Sequence, residues 1–558
     1  MPALRLLCVG CSNYAPLRGL LREQDPALEW VEAPFGQVYP ALLDAGHDAW
    51  RQPPDVCLVW TLPHRVSAGF AARLAGKAVP TEQILAEVDE LAAAVRQAAG
   101  RARLATLVLS WALPPDERGF GCGDWIAADG LAPTVARMNL RLAERLADVP
   151  SVSLLDFARC LAASGRRAFD SKLWMLGKIP FGRGVFEEVA AEVLAAVGAA
   201  MGRTRKLLVL DLDDTLWGGI VGDDGWEQLQ VGGASAVGEA YSAFQHEIQR
   251  LARRGVVLAV CSKNDEHVAL EALDRHPEMV IRRGDLAAWR INWGDKAENI
   301  RALVAELNLG LAATVFIDDS PAERARVREA LPEVLVPEWP ADPARYASAL
   351  RALRCFDTWR ITEEDRTRAA SYAAERQRRE VRATAQTLDE WLGRLELEVE
   401  GRPLSSADLP RAAQLLNKTN QFNLTTRRMS ERELAGLAEQ PGVRVFTFRV
   451  RDRFGEYGLT GLASLRVDGD AARIEDFVLS CRVMGRGVEQ QMLARLRDEA
   501  LARGFTRLLA RYVPTAKNGP CRSFLPDSGF RATGEPEWEL ELAAAAPVGA
   551  GALEAVTR

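Results

Sequence analysis

The sequence predicts a multidomain α/β protein built from three units and a tail. At 558 residues the chain exceeds what one hydrophobic core spans. Over its first two thirds, short apolar runs of strand length alternate with helix-length amphipathic runs, the pattern of parallel sheets covered by helices. In the last third, several strand-like runs follow one another closely before a helix, which reads as α+β.

Composition sets outer limits. The chain is 48% apolar and 26% charged, as in soluble globular proteins. A net charge of −6 argues against a nucleic-acid partner. Nine cysteines lack the spacing of a disulfide framework and suit a reducing cytoplasm. Cys8 and Cys11 form a Cys-x-x-Cys with no second pair, so zinc is not expected. One Arg and a short apolar run before Cys11 do not make a signal peptide, and no run of about 20 apolar residues predicts a membrane span.

Residues 1–202 read as the first domain. Arg5 to Val9, Val56 to Trp60 and Leu104 to Leu109 are apolar strands, with helical patterns such as Gln83 to Ala98 between them. The first strand ends in Gly10-Cys11-Ser12-Asn13. This strand-turn resembles the SGNH hydrolase-like layout, which places Ser12 where that family has its serine. A serine nucleophile needs a base, yet no His occurs between His64 and His246. Asp170-Ser-Lys-Leu-Trp174 stands where the late Asp-x-x-His belongs, and Asn139 reads as a family remnant. A non-catalytic domain is expected. The apolar stretch Lys172 to Phe181, with its two lysines, could pack on the next domain or meet a partner. Residues 182 to 202 read as an Ala-rich helix.

Residues 203–375 carry the densest chemistry. Leu207 to Leu210 reads as a buried parallel strand, followed by Asp211-Leu-Asp213-Asp214-Thr215. Two carboxylates two apart at a strand end can face one point: one to ligate a hard cation and attack phosphorus, the other to shuttle a proton. Ser262 follows the strand Val257 to Cys261, and Lys296 opens an amphipathic helix. Asp318 and Asp319 follow the strand Thr314 to Ile317. Lys296 could instead cap a surface helix. The four motifs in this order resemble the haloacid dehalogenase (HAD) superfamily, a Rossmann-like fold. The resemblance implies Asp211 as nucleophile and Mg²⁺ ligand, and Asp213 as general acid/base with its carbonyl on the metal. It implies Ser262 and Lys296 on phosphoryl oxygens, Asp319 as the preferred metal ligand, and Asp318 beside it. About 45 residues separate Thr215 from Ser262 and about 33 separate Ser262 from Lys296. That leaves room for a flap, Trp217 to Val231, and a helix, Ala240 to Arg253, but for no large cap. Such an open site suits a large substrate such as a carrier protein. The wording Asp211 to Gly225, Cys261-Ser-Lys-Asn264, Asn292 to Asn299 and Ile317 to Glu323 is similar to the FkbH-like branch. Asp223, Asp224 and Trp226 either screen the site or serve as turn residues.

Residues 376–545 read as the third domain, after a charged helical run from Arg366 to Leu395; residues 546–558 are expected to be a flexible tail. The amide-rich Gln414 to Asn423 either caps turns or binds a polar ligand. Strands Val443 to Val450, Gly461 to Val467 and Arg473 to Leu479 lead into Ser480-Cys481-Arg482-Val-Met-Gly485-Arg-Gly487 and a helix near Val488. A Gly-rich turn at a helix N-terminus suits phosphate. With Asn518 and the Phe524 to Phe530 ending, this resembles the GNAT acyltransferase fold, although Pro520 and Pro526 interrupt the last helical pattern. The resemblance implies Arg482, Gly485, Gly487 and Asn518 on a pantetheine or phosphate group lying along the strand before the turn. Cys481 is then placed to accept an acyl group, with Cys261 as a rival thiol. The FkbH-like resemblance implies transfer of a glyceryl unit from 1,3-bisphosphoglycerate, a small phosphorylated acyl substrate, to a phosphopantetheinylated acyl carrier protein, with loss of phosphate.

Overall fold

Three sheets carry the fold. The computed structural model describes residues 4–542, apart from 115, 166–167, 234, 360–371, 373, 377, 379–380, 383–386, 420, 481, 516–517 and 535. Two compact units result: Met1–Arg283 with Trp289–Arg366, and Gly284–Ala288 with Thr367–Arg558. The first unit contains a five-stranded parallel sheet and most of a four-stranded one, and the second a mixed sheet.

The first sheet is built from β1 (Arg5–Gly10), β2 (Glu29–Glu32), β3 (Val56–Trp60), β4 (Ala105–Leu109) and β5 (Val152–Leu155), in the order β2-β1-β3-β4-β5 with every pairing parallel. The three inner strands are buried on both faces, which is why they read as unbroken apolar runs. The edge strands β2 and β5 are short and partly exposed, so no such run announces them. The helix expected at 83–98 spans Thr81–Ala99, and the one expected at 182–202 spans Arg183–Ala200. Its Glu188 and Glu192 both pair with Arg354. The stretch Lys172 to Phe181 folds back onto its own domain. Asn13 ties it to β1 through Lys178 O at 3.0 Å and Gly177 O at 3.1 Å, and Phe181 is fully buried.

The second sheet, β6 (Leu207–Leu210), β7 (Val257–Ser262), β8 (Ala288–Ile291) and β9 (Thr314–Ile317), has the order β8-β7-β6-β9. β6 lies between β7 and β9, parallel to both, with Leu210 opposite Val260 and Ile317. That register brings Asp211, Cys261 and Asp318 out at one level. The helix expected from Ala240 starts earlier, at Ala236, where Ser235 caps it.

The second unit arranges β10 (Glu398–Pro403), β11 (Val443–Asp452), β12 (Gly455–Asp468), β13 (Ala471–Leu479), β14 (Arg507–Arg511), β15 (Arg531–Gly534) and β16 (Glu537–Glu541) in the order β10-β11-β12-β13-β14-β16-β15. Among the described residues of this unit only β13 and β14 pair in parallel, from Ala472 opposite Leu508 to Ile474 opposite Ala510. β13 continues to Leu479 without that partner. The helix Val488–Ala502 follows the Gly-rich turn. One expectation shifts here: Pro520–Asp527 is helical, with Pro520 in its first turn and Pro526 in its last. The amide-rich stretch begins inside the helix Leu409–Lys418. Of the linker run from Arg366, residues 366–371, 373, 377, 379–380 and 383–386 lie outside the described residues; Leu388–Leu395 is helical. The tail from 543 lies outside them too. Among the described residues no helix is long and apolar enough to cross a membrane.

Candidate active site

Asp211 leaves β6 with its N–H bonded to Ile317 O at 3.0 Å, which holds the strand end in register as the chain turns. Lys296, first residue of the helix Lys296–Glu306, reaches under it. Its Nζ lies 2.8 Å from Asp211 Oδ2 and 2.6 Å from Asp318 Oδ2. Lys296 is only 3% exposed, so it is a buried counter-ion and not a surface cap. Burial pulls its pKa down, but the charges of Asp211 and Asp318 outweigh that, and the net shift is upward.

One carboxylate oxygen from each of Asp211, Asp318 and Asp319 falls within 4.8 Å of the other two. Asp211 Oδ1 is buried with no hydrogen-bond partner. A buried carboxylate oxygen lacking a donor is costly unless a cation meets it. Three carboxylates against one ammonium also leave an excess of two negative charges. Burial, and then the charge of Asp211, raise the pKa of both Asp318 and Asp319. The donor set is all oxygen and the excess charge suits a small hard dication such as Mg²⁺. Arg324 braces this turn from below, donating to Asp318 O at 2.8 Å and Asp319 O at 2.7 Å. Thr215 Oγ1 bonds Asp319 Oδ1 at 3.2 Å and accepts its N–H at 3.0 Å.

Asp213 stands apart from that trio. Its Oδ1 accepts from Trp217 Nε1 at 2.9 Å and Val221 N at 3.1 Å, and its Oδ2 accepts from Asn264 Nδ2 at 2.9 Å. Burial raises its pKa against these three donors. Asn264 Nδ2 is also 3.2 Å from Ser262 Oγ, so the acid/base candidate and the phosphate-binding candidate share one amide. The flap is closed by the Gly218–Gln230 bridge. Asp224 is a turn residue, its Oδ2 accepting from Ile220 N at 3.0 Å. Asp211, Lys296, Asp318 and Asp319 thus form one cluster, and Asp213 and Ser262 meet each other through Asn264. Trp217 and Arg324 are further participants. An indole four residues after Asp213 and a guanidinium six after Asp318 were the available signals.

The two other expected sites differ. Among the described residues no hydrogen bond joins Ser12 to a histidine or carboxylate; Cys11 Sγ lies 3.9 Å from its Oγ. Asn139 exchanges hydrogen bonds with the Trp111 backbone at 2.8 and 2.7 Å, and Asp170 caps a helix. Cys261 is buried, its thiol pushed up to about 12 mainly by burial, so it is no ready nucleophile. Cys481 lies outside the described residues.

In the second unit, the strand edge expected to carry a pantetheine arm is taken by the chain itself. Leu424 N bonds Phe477 O at 3.2 Å and Leu479 N bonds Phe422 O at 3.0 Å. Val513 N bonds Leu424 O at 2.9 Å on the other side. Asn518, expected on the ligand, is fully buried and holds this segment: Nδ2 donates to Asn423 O at 3.0 Å and Val513 O at 2.9 Å, and Oδ1 accepts from Thr515 N at 2.7 Å. Gly485 and Gly487 adopt positive φ, 72° and 79°, and Gly487 precedes the helix. Burial pushes the Glu489 carboxyl at the start of that helix upward. Arg482 is exposed beside the turn.

No protein-family model and no curated protein matches the chain. Among solved structures, two acetyltransferases align over the length of a single domain. They are the ribosomal-protein-S18-alanine N-acetyltransferase of Escherichia coli (18% identity, 27% of this chain, 97% of that one, TM-score 0.21) and an acetyltransferase of the GNAT family from Desulfovibrio desulfuricans (14%, 26%, 99%, 0.22). The N-terminal part of protein BF1531 from Bacteroides fragilis, containing a phosphatase domain and complexed with Mg, is 30% identical over 64% of this chain and 95% of its own, with a TM-score of 0.58. At that identity, and with nearly all of the solved part matched, the chain belongs to the family of BF1531, a family with a phosphatase domain.

Proposed function

We propose that the chain is a HAD-superfamily, FkbH-like enzyme. It moves a glyceryl unit from 1,3-bisphosphoglycerate to a phosphopantetheinylated acyl carrier protein and releases phosphate, in polyketide or related secondary-metabolite biosynthesis in the cytoplasm. The observation that carries the phosphatase half is the buried Asp211–Lys296–Asp318 cluster, with its partnerless Asp211 oxygen. Asp211, Asp318, Asp319 and the Asp213 carbonyl would hold Mg²⁺, which when bound neutralises charge on the transferring phosphoryl group. Ser262 and Lys296 orient the phosphoryl oxygens. An Asp211 oxygen bonds phosphorus as the ester P–O bond breaks, and the departing oxygen takes its proton from Asp213. Water then attacks phosphorus and gives a proton back to Asp213, and the phosphorus–Asp211 bond breaks to release phosphate.

The acyl half rests on the sequence resemblance. An acyl phosphate is activated toward thiols: Cys481 would take the three-carbon acyl group, expelling the acyl-bound phosphate, then pass it to the pantetheine thiol, and the remaining phosphate ester is the one hydrolysed at Asp211. Arg482, Gly485 and Gly487 remain candidates for the arm's phosphate. The mixed sheet with its single parallel pair supports a GNAT-like reading of residues 376–545. The 2-1-3-4-5 order supports an SGNH-like reading of residues 1–202, and a Ser12 without a hydrogen bond to histidine or carboxylate among the described residues supports a non-catalytic one. The HAD-like domain is assigned residues 203–375.

Intact-protein mass spectrometry tests the proposal: enzyme, 1,3-bisphosphoglycerate and the phosphopantetheinylated carrier are incubated with Mg²⁺ and weighed. A glyceryl mass gain on the carrier is expected, abolished by Cys481→Ala. No gain on either protein, with phosphate still released, leaves a phosphatase acting on another phosphorylated metabolite. No phosphate release from any phosphoester or acyl phosphate would leave a carrier-binding scaffold.

A further inference from the structure

The Asp213 carboxylate is gripped from both ends. One oxygen is held by the flap, through the fully buried Trp217 indole and the Val221 N–H; the other is held by Asn264, from the loop after β7. Both side chains are buried, and neither touches the Asp211–Asp318–Asp319 trio by hydrogen bond among the described residues. A carboxylate that rotates freely offers its proton in many directions. One fixed at both oxygens offers it along one line, and orientation of this kind lowers a barrier without tightening substrate binding. Asn264 adds a second constraint, because the same Nδ2 meets Ser262 Oγ. The distance between the proton donor and the phosphoryl pocket is therefore set by one short amide.

The geometry points to Trp217 and Asn264 as positioning residues that fix Asp213 from opposite oxygens and yoke it to Ser262 and the flap. This rests on the phosphatase reading above. They act through Asp213 and matter most when the leaving oxygen needs its proton. An ester of an acidic phenol leaves almost unaided; one of a weakly acidic phenol does not.

The test uses the full chain with Mg²⁺ and a series of aryl phosphates from 4-nitrophenyl to phenyl. Trp217→Phe keeps an aromatic ring and removes the N–H; Asn264→Ala removes the other donor. Each is expected to lower kcat/KM for the phenyl ester about tenfold more than for the 4-nitrophenyl ester. In Trp217→Phe, whose indole bonds Asp213 and not Ser262, the inhibition constant of inorganic phosphate should stay within about twofold, since ground-state binding is untouched. A merely structural role lowers both esters equally, and that result overturns the assignment. If Trp217→Phe does not fold, Asn264→Ala carries the same comparison from the other oxygen. Wild-type protein that hydrolyses none of the esters overturns the phosphatase reading itself, whereas an active wild type with an unchanged leaving-group slope in the variants overturns only the positioning role.

Discussion

At the end of β1 stands Ser12; at the end of β6 stands Asp211. Both follow buried parallel strands of the first unit, and both sit where α/β sheets bind ligands. Around the first, the chain has placed rings. Trp60 lies flat between Tyr14, 4.4 Å centroid to centroid, and Phe181 at 5.4 Å, with Phe157 and Phe186 at its edges. Around the second it has placed charges, with Lys296 between Asp211 and Asp318 and Asp319 beside them. One strand end is finished as core and the other as an unbalanced electrostatic pocket. Position at a sheet edge is thus permissive only; what decides chemistry is whether the neighbouring strand ends bring partners of opposite character.

The comparison breaks most sharply at the two strand-end residues themselves. Asp211→Asn is expected to lower Mg²⁺-dependent phosphate release by about 10³-fold or more, while Ser12→Ala leaves it within about twofold. A large loss from Ser12→Ala would return the first sheet to the list of active sites. Next in size is the aromatic stack. Trp60→Ala should cost about 3–5 kcal/mol in urea unfolding, with the activity of the molecules that remain folded unchanged. Metal removal sharpens the other side. At a hundredfold excess over its dissociation constant, Mg²⁺ should add about 2.7 kcal/mol of stability, lost on chelation and absent in Asp318→Asn or Asp319→Asn. Calorimetric melts with and without chelator check this.

The smallest effect is a pH dependence remote from both strand ends. Arg145 and Arg141 each grip Asp89 at 2.8 Å and hold its carboxyl well below the usual range. Its folded pKa lies below its unfolded one, so the stabilisation is full above the unfolded value of about 3.9 and fades as pH falls through the folded value. Asp89→Asn should therefore melt lower than wild type at pH 6, and the gap should begin to narrow below about pH 4.

Much of this was legible in the chain. Strands buried on both faces must be apolar throughout, so β1, β3, β4, β6, β7 and β9 declare themselves, and the acidic and hydroxyl groups at the ends of β6, β7 and β9 stand out against them. The edge strands β2 and β5 escaped notice because one exposed face breaks the apolar run. The grip of Trp217 on Asp213 was hidden for another reason: a Trp one turn after a strand reads as core, and only its indole direction makes it a donor. Nor did anything near Phe422 announce that it would line β13. That contact joins residues more than fifty apart, held by Asn518 almost a hundred residues further on.

By itself, then, the sequence determined which groups meet at β6, because a parallel sheet delivers consecutive strand ends to one edge and the order of motifs follows the order of strands. Only the tertiary structure decided how those groups divide their work. Which carboxylate oxygen is met by an ammonium, which by an indole, and which by nothing depends on side-chain directions and on burial, and those are set by packing between segments far apart in the chain.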